Sequence, residues 1–195
     1  TTEIYTLSLH DALPISVRRL QMPGTRRWSN VASSSHLAFV ALGANLDDPL
    51  AQVRAAGDAL AGVPESRLLY LSSLYRTAPV GIRGQPDFIN AVAALTTELA
   101  PLRLLDALFS VERRFGRRRE FHQAPRTLDL DLLLYDQLIV DSPRLSLPHP
   151  RMHLRAFVIA PLLEIAPHCH IPGRGSAAAW LPAVSMQRIE RVPTQ

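Results

Sequence analysis

Two acidic residues lie two positions apart in the segment 128–132, where leucine occupies every other position. In a strand, alternate side chains share a face, so Asp129 and Asp131 point the same way while the leucines face a core. Their Cα atoms then lie about 6.6 Å apart, and carboxylates this close repel each other unless a cation lies between them. Mg²⁺ typically takes one or two carboxylates together with waters and phosphates. The spacing favours a divalent metal site; the alternative is an exposed strand face with two solvated carboxylates.

An arginine-rich segment precedes this pair. A guanidinium group is a rigid fork that binds phosphate oxygens through two hydrogen bonds. Arginines beside a carboxylate pair therefore predict a combined site for a metal ion and a polyphosphate, whereas a solvated positive face is the plainer interpretation. The arginines are Arg113, Arg114, Arg117, Arg118, Arg119 and Arg126.

Two further groups suit an organic substrate and its phosphates. Phe88 and Asn90 share one face of a predicted strand, where a ring for stacking lies beside an amide that can read a heterocycle edge. His149 lies between two prolines and can donate to a phosphate or transfer a proton. Ordinary core packing of Phe88 and Asn90, and a structural role for His149, are the alternatives.

The composition excludes several classes of protein. The chain has 195 residues, 47% of them apolar and 19% charged, which predicts one globular domain with a sizeable core. All 21 basic residues are arginine, so a lysine-containing phosphate loop and a Schiff-base lysine are impossible. The single cysteine, Cys169, excludes an internal disulfide and indicates a reducing compartment. No apolar run approaches the ~18 residues that span a bilayer. We therefore expect a cytoplasmic protein with no membrane partner.

Apolar spacing, prolines and glycines predict the elements that position these groups. The order is strand–helix–strand–strand–helix–strand, followed by a helical part in which Pro161 favours an early break or a first-turn position, and then a weakly patterned segment from Pro172. This order predicts an α+β, ferredoxin-like antiparallel sheet with helices packed on it. The predicted strands are 37–42, 67–76, 87–99 and 128–134, and the predicted helices are 49–61, 101–115 and 156–165.

The first 35 residues differ from the rest. They show no sustained periodicity and end in the polar run 33–35, and residues 6–16 look like translated sequencing-adaptor sequence. We predict a disordered or non-native leader over 1–35 and a single domain over 36–195.

Several blocks of the chain resemble 6-hydroxymethyl-7,8-dihydropterin pyrophosphokinases. The resemblance runs from about Ala38 to Pro167, and its most specific part is the block Pro-Arg-Thr-Leu-Asp-Leu-Asp. It implies transfer of a pyrophosphoryl group from ATP to the hydroxymethyl group of a reduced pterin, with release of AMP, in folate biosynthesis. It also implies a ferredoxin-like α/β/α sandwich, two Mg²⁺ ions and a monomer. The blocks are 39–46, 75–77, 85–90, 124–131, 147–149 and 155–157.

The resemblance also implies roles for individual residues. Asp129 and Asp131 match the metal-binding pair. The chain departs from the family pattern at 122–124, where His-Gln-Ala replaces the Arg-Trp-Gly of many relatives and removes a stacking tryptophan. The matching catalytic positions are Asp129, Asp131, Arg117, Arg119 and Arg126. The matching ATP-site positions are Glu112, Arg144, Ser146, His149 and Arg155. The matching pterin-pocket positions are Thr77, Val80, Phe88, Asn90 and Phe157.

Two other functions also fit the residues. A ferredoxin-like RNA-binding module would use the basic loop and the sheet, but the interleaved aromatic residues of a stacking platform are absent and the carboxylate pair would repel a phosphate backbone. We therefore expect no nucleic-acid partner. A Mg²⁺-dependent nucleotidyl- or glycosyltransferase would also use an Asp-x-Asp motif. Its nucleotidyl form releases pyrophosphate, whereas pyrophosphoryl transfer releases AMP.

Overall fold

The computed structural model describes residues 35–79, 86–116 and 127–193. The predicted leader over 1–35 lies outside this part except for Ser35, and it stays a prediction. The helices are α1 (Pro49–Ala61), α2 (Pro101–Arg114), α3 (Ala156–Ile165) and α4 (Leu181–Val184). The strands are β1 (His36–Ala44), β2 (Ser66–Leu71), β3 (Tyr75–Thr77), β4 (Phe88–Thr97), β5 (Asp129–Tyr135), β6 (Val140–Asp141), β7 (Ser146–Leu147), β8 (His170–Ile171), β9 (Gly175–Ser176) and β10 (Ile189–Arg191).

The main sheet is antiparallel and follows the order β10-β3-β4-β1-β5, with β2 also paired to β4. The central strand β1 pairs with β4 on one side and with β5 on the other. This arrangement confirms the ferredoxin-like fold predicted from the order of the elements. It also places the Asp-x-Asp motif on β5, the strand at the edge of the sheet that the described residues form.

Alternating side chains of the central strands form two cores on opposite faces of the sheet. In β1, Ala38, Val40 and Leu42 pack with the apolar faces of α1 and α2. Phe39 points to the other face and packs with α3 and α4. Each large side chain buried in this way contributes ~1.5–3 kcal/mol. The sheet is therefore covered by helices on both sides, as an α/β/α sandwich requires.

The ends of the first two helices follow from local sequence. Asp48 accepts a hydrogen bond from the backbone N–H of Ala51, and Pro49 occupies the first turn of α1. Pro101 likewise occupies the first turn of α2. Gly116, with a φ of 76°, follows the last turn of this helix. These boundaries confirm the predicted starts of both helices.

Two sequence-based expectations about elements were wrong. The strand predicted over 67–76 is two strands, β2 and β3, which both pair with β4; between them the hydroxyl of Ser72 accepts a hydrogen bond from the N–H of Val92 in β4. Pro161 neither breaks α3 nor lies in its first turn; it lies inside the helix, which covers the predicted range Ala156–Ile165. The weakly patterned segment from Pro172 contains β9, α4 and β10, and β10 joins the main sheet beside β3. Within the described residues, no helix is both long and apolar enough to cross a membrane.

His153 is a buried histidine that we expect to make the fold sensitive to acid. Its ring packs edge-on against Trp180 with 4.5 Å between centroids, and its Nδ1 has no hydrogen-bond partner among the described residues. Burial, followed by the charge of Arg174, lowers the pKa of His153 below its ordinary value of 6.5. As the pH falls through that ordinary value, the unfolded chain takes up the proton before the folded chain does. The stability contributed by neutral His153 is therefore present above about pH 6.5 and is lost below it.

We expect His153→Phe to reduce this acid sensitivity, because phenylalanine keeps the ring packing and cannot be protonated. The measurement is the urea midpoint of wild type and variant at about pH 7.5 and about pH 5, on either side of the ordinary histidine pKa. The midpoint should fall less in the variant between the two pH values. Equal falls in both proteins would contradict the assignment.

Candidate active site

The carboxylates of Asp129 and Asp131 project from one face of β5. Leu130 and Leu132 point to the opposite face and are buried in the core beneath α1 and α2. The side chain of Asp131 is 39% exposed. The alternation predicted from the sequence therefore holds at this point of the strand, and a bulge between the Phe39 and Val40 pairings follows it. Both carboxylates lie within reach of solvent and of a small ion.

A buried carboxylate from α2 holds the backbone between these two residues. Glu112 is 2% exposed, and its Oε1 accepts a hydrogen bond of 2.8 Å from the N–H of Leu130. Since β5 is an edge strand, Glu112 occupies a position that a neighbouring strand would otherwise fill. The resemblance placed Glu112 at the ATP site, and the structure brings it to the backbone of the Asp-x-Asp strand.

His149 lies beside Asp131 and is held by backbone contacts. The backbone N–H of His149 donates to the carbonyl of Leu133 at 2.8 Å. The ring Nδ1 of His149 accepts from the backbone N–H of Arg151 at 3.2 Å. Burial, followed by the charges of Arg155 and Arg151, lowers the pKa of His149 to about 4. The ring is therefore neutral at pH 7, and with Nδ1 used as an acceptor its proton lies on Nε2. Nε2 is 3.9 Å from Oδ2 of Asp131.

Arg155 approaches the carboxylate pair from the start of α3. Its Nη1 lies 3.7 Å from Oδ2 of Asp131, and its guanidinium lies over the ring of Phe157 at 5.4 Å from the centroid. Arg155 also occupies the N-cap position of α3, with its backbone in an extended conformation. This arrangement places one guanidinium beside the acidic pair and one aromatic ring directly behind it.

A cleft of about 250 Å³ runs along the free edge of β5. One wall is apolar and comes from Leu105 and Phe109 of α2, and the opposite wall carries Ser146 and His149. Arg144 lies at this cleft and forms an exposed ion pair of 2.7 Å with Asp106 of α2. A cleft with an apolar wall that opens onto two carboxylates suits a nucleoside joined to phosphates. Its lining residues are Leu105, Phe109, Glu112, Asp129, Leu130, Asp131, Leu132, Arg144, Leu145, Ser146, His149 and Pro150.

A polar pair lies on the same face of the sheet, two strands away. Asn90 and Thr77 are both buried, and Nδ2 of Asn90 donates to Oγ1 of Thr77 at 2.9 Å. Phe88 shares their face, because it lies two residues before Asn90 in β4. Asn90 pairs with Gly43 of β1, and Gly43 pairs in turn with Asp129. One row across the sheet therefore joins the polar pair to the acidic pair.

Gly43 and Asn45 belong to this region, and reasoning from residue chemistry did not single them out. A Cβ atom at Gly43 would lie 3.2 Å from Oδ1 of Asn90, so glycine leaves room for that amide. Asn45 is 2% exposed, and its Nδ2 donates to the carbonyl of Pro86 at 3.5 Å. The sequence signals were a predicted turn directly after a buried strand and the position of both residues in the block 39–46 that resembles the family.

Comparison with known proteins agrees with this geometry. Residues 39–167 match the 7,8-dihydro-6-hydroxymethylpterin-pyrophosphokinase (HPPK) family. The chain belongs to this family. A 2-amino-4-hydroxy-6-hydroxymethyldihydropteridine pyrophosphokinase of Pseudomonas aeruginosa is 48% identical over 155 residues, covering 80% of this chain and 96% of the relative. A protein of the same name from Haemophilus influenzae is 47% identical over 135 residues, covering 69% and 84%.

Solved structures of HPPK proteins share the fold. The Plasmodium falciparum HPPK-DHPS crystal structure with pteroate has a TM-score of 0.63 at 12% identity and covers 81% of this chain. The match covers 48% of that chain, so this chain spans about half its length. At this identity the likeness concerns the fold alone.

The acidic pair of this HPPK chain fits a magnesium ion rather than a metal held wholly by protein. Within 35–79, 86–116 and 127–193, no group of three or more His, Cys, Asp or Glu side chains is placed to hold a metal. Mg²⁺ usually keeps several water ligands, binds one or two carboxylates and takes further oxygens from substrate phosphates. Two carboxylates on one partly exposed strand face, beside a cleft, suit this coordination. The donor set therefore fits Mg²⁺ bound together with a nucleotide.

The structure brings most of the predicted site residues of this HPPK chain to one end of the sheet. Four of them lie outside the described residues: Val80, Arg117, Arg119 and Arg126. Their assignments to the pterin pocket and to phosphate binding stay predictions.

Proposed function

We infer that the chain transfers pyrophosphate from ATP to the hydroxymethyl group of 6-hydroxymethyl-7,8-dihydropterin and releases AMP, as a transferase of folate biosynthesis. One observation carries this inference: Asn90, Gly43 and Asp129 are cross-strand neighbours on one face of the sheet. Adjacent strands are about 4.7–4.9 Å apart, so the polar pair and the acidic pair lie about 10 Å from each other. This distance suits a flat ring at Asn90 whose side chain extends toward phosphates at Asp129.

The two substrates occupy different parts of this face. The cleft beside α2 takes the nucleoside of ATP, with its phosphates directed to Asp129, Asp131 and Arg155. The pterin edge meets the amide of Asn90, and its ring stacks on Phe88 and Phe157. Thr77 orients the amide by accepting one of its two N–H donors.

We propose that two Mg²⁺ ions bind at Asp129 and Asp131. Bound there, they would supply neutralisation of phosphate charge and alignment of the hydroxyl with the β-phosphorus. The carboxylates would hold them from β5, and Glu112 keeps that strand in place through the N–H of Leu130.

The cationic and neutral donors of the site have separate tasks. Arg155 lies beside Asp131 and is positioned to bind a phosphate oxygen with its guanidinium. Neutral His149 presents an N–H at Nε2, so it can donate a hydrogen bond to a phosphate without adding charge. We propose that Arg117, Arg119 and Arg126 complete the phosphate site. Phosphoryl transfer requires mainly that the substrates are positioned and that the charge of the phosphates is neutralised, and this set of side chains provides both.

We also propose that the protein works as a monomer in the cytoplasm. The monomeric state is what the resemblance to the family implies. The single cysteine of the sequence supports a reducing compartment.

Product analysis tests the proposed function. The protein is incubated with Mg²⁺, ATP and 6-hydroxymethyl-7,8-dihydropterin, and nucleotides are separated by chromatography. AMP should form in equal amount to a diphosphorylated pterin, and only when the pterin is present. Release of pyrophosphate with a nucleotidyl-pterin would indicate a nucleotidyltransferase instead. Absence of turnover together with RNA retention in a filter-binding assay would indicate the RNA-binding alternative.

A further inference from the structure

We infer that residues 187–193, here called the strap, position both walls of the active site from outside it. This inference rests on the proposed function, because the walls in question are those assigned to the phosphates and the pterin. The strap lies beyond residues 39–167, which match the HPPK family. It contacts the site region at two places, Gln187 at one end and β10 at the other.

Gln187 anchors the backbone on both sides of Arg155. Its Oε1 accepts a hydrogen bond of 2.9 Å from the N–H of Ala156, the first residue of α3. Its Nε2 donates to the carbonyl of Leu154 at 2.8 Å. The first N–H groups of a helix have no partner within the helix, and Arg155 makes no side-chain cap here. Gln187 therefore supplies the missing cap from a distant part of the chain.

The position of Arg155 depends on these two hydrogen bonds. Arg155 lies between the two anchored residues in an extended conformation, with φ of −123° and ψ of 112°. Its guanidinium then reaches to 3.7 Å from Asp131 and lies over Phe157. A displacement of the peptide groups that flank Arg155 would displace the guanidinium as well. A misplacement of about 1 Å in such a group lowers the rate by as much as about a hundredfold.

The other end of the strap holds the strand that carries Thr77. Strand β10 pairs with β3, so that Ile189 lies opposite Thr77 and Arg191 opposite Tyr75. The N–H of Val192 donates to the carbonyl of Leu74 at 2.8 Å, directly before β3. Thr77 accepts from Asn90, so the strap reaches the pterin wall through one intervening strand.

A polar cluster ties the strap, β3 and α3 together. Arg191 donates through Nε to the hydroxyl of Ser73 at 2.8 Å, and its Nη2 lies 3.5 Å from Oε1 of Glu164. Glu164, near the end of α3, also accepts from the hydroxyls of Ser73 and Tyr75. The same helix thus meets the strap near both of its ends, at Ala156 and at Glu164. Gln187 acts as a positioning residue for Arg155 within this frame.

Three single variants test the role of Gln187. Gln187→Ala removes both hydrogen bonds. We expect kcat/KM to fall about tenfold, which is less than the roughly hundredfold loss that follows when a catalytic group is misplaced by about 1 Å. Gln187→Glu keeps the acceptor for Ala156 at a helix N-terminus, where a negative charge is favourable, but it loses the donor to the carbonyl of Leu154, so it should recover only part of this loss. Met186→Ala changes a side chain that is 96% exposed next to Gln187, and it should match wild type. Thermal unfolding and amide exchange at Ala156 are measured for each variant.

A double variant separates positioning from general destabilisation. If Gln187 acts through Arg155, Gln187→Ala should change kcat/KM little in an Arg155→Ala background. It should also speed exchange of the Ala156 amide in both backgrounds. An equal loss of kcat/KM in both backgrounds, or unchanged exchange at Ala156, would overturn the inference. Failure of wild type to release AMP would refute the proposed function instead. In that case the amide exchange and the ATP affinity of the same variants would still decide whether Gln187 positions Arg155.

Discussion

Asp131→Asn is expected to lower kcat by at least about a thousandfold, because a metal-held phosphate charge is worth several kcal/mol in the transition state. Asparagine keeps the size of the side chain, but it removes the negative charge that faces Arg155 and the cleft. The same substitution at Asp129 should have an effect of similar size, since both carboxylates project from one strand face. The measurement is AMP formation at saturating ATP, pterin and Mg²⁺.

The fold should survive this substitution, because Asp131 is only partly buried and its strand is held by Leu130 and Leu132 on the other face. Circular dichroism and the thermal midpoint of the variant check this point. Asp58→Asn, which removes an exposed carboxylate from α1, is the matched control and should leave kcat unchanged. Near-normal turnover by Asp131→Asn would show that the acidic pair is not part of the reaction.

Asn90→Ala is expected to weaken pterin binding far more than ATP binding. Loss of a buried hydrogen-bonding group that leaves its partner unpaired costs about 1–3 kcal/mol, or about 5- to 150-fold in affinity. Asn90 is 5% exposed and lies two strands away from the cleft that suits the nucleoside. Calorimetric titration with the pterin, and separately with a non-hydrolysable ATP analogue, measures the two affinities.

Thr97→Ala provides a matched control in the same strand. Thr97 is 1% exposed at the opposite end of β4, and its hydroxyl lies 2.7 Å from that of Ser66. The control should lower the thermal midpoint, as Asn90→Ala should, and leave both affinities unchanged. A larger loss of ATP affinity than of pterin affinity in Asn90→Ala would mean that the pterin pocket lies elsewhere.

Local pattern was sufficient to predict the framework of the fold. Long apolar segments and proline or glycine at their ends predicted β1, α1, β4, α2 and β5 close to their observed bounds, because each element carries its own periodicity. The pair formed by Asp129 and Asp131 was also predictable, since period two in a strand fixes which side chains share a face.

The features that local pattern missed depend on partners far away in the chain. Ser72 lies between β2 and β3 and bonds to Val92, and nothing near Ser72 in the sequence signals that contact. Strand β10 is three residues long and has no periodicity of its own; it forms because β3 offers a free edge. Gln187 likewise acquires its role only when the fold brings it to Leu154 and Ala156.

A metal titration tests the central claim most directly, which is that Asp129 and Asp131 jointly hold a divalent ion together with a nucleotide. Mn²⁺ binding is followed by electron paramagnetic resonance in the presence of α,β-methylene-ATP, for wild type, Asp131→Asn and Asn90→Ala. Wild type and Asn90→Ala should bind Mn²⁺ equally well. Asp131→Asn should bind it more than about tenfold more weakly, since even partners outside the ligand shell are worth 10–100-fold in metal affinity. Equal binding of Mn²⁺ by wild type and Asp131→Asn would contradict the account.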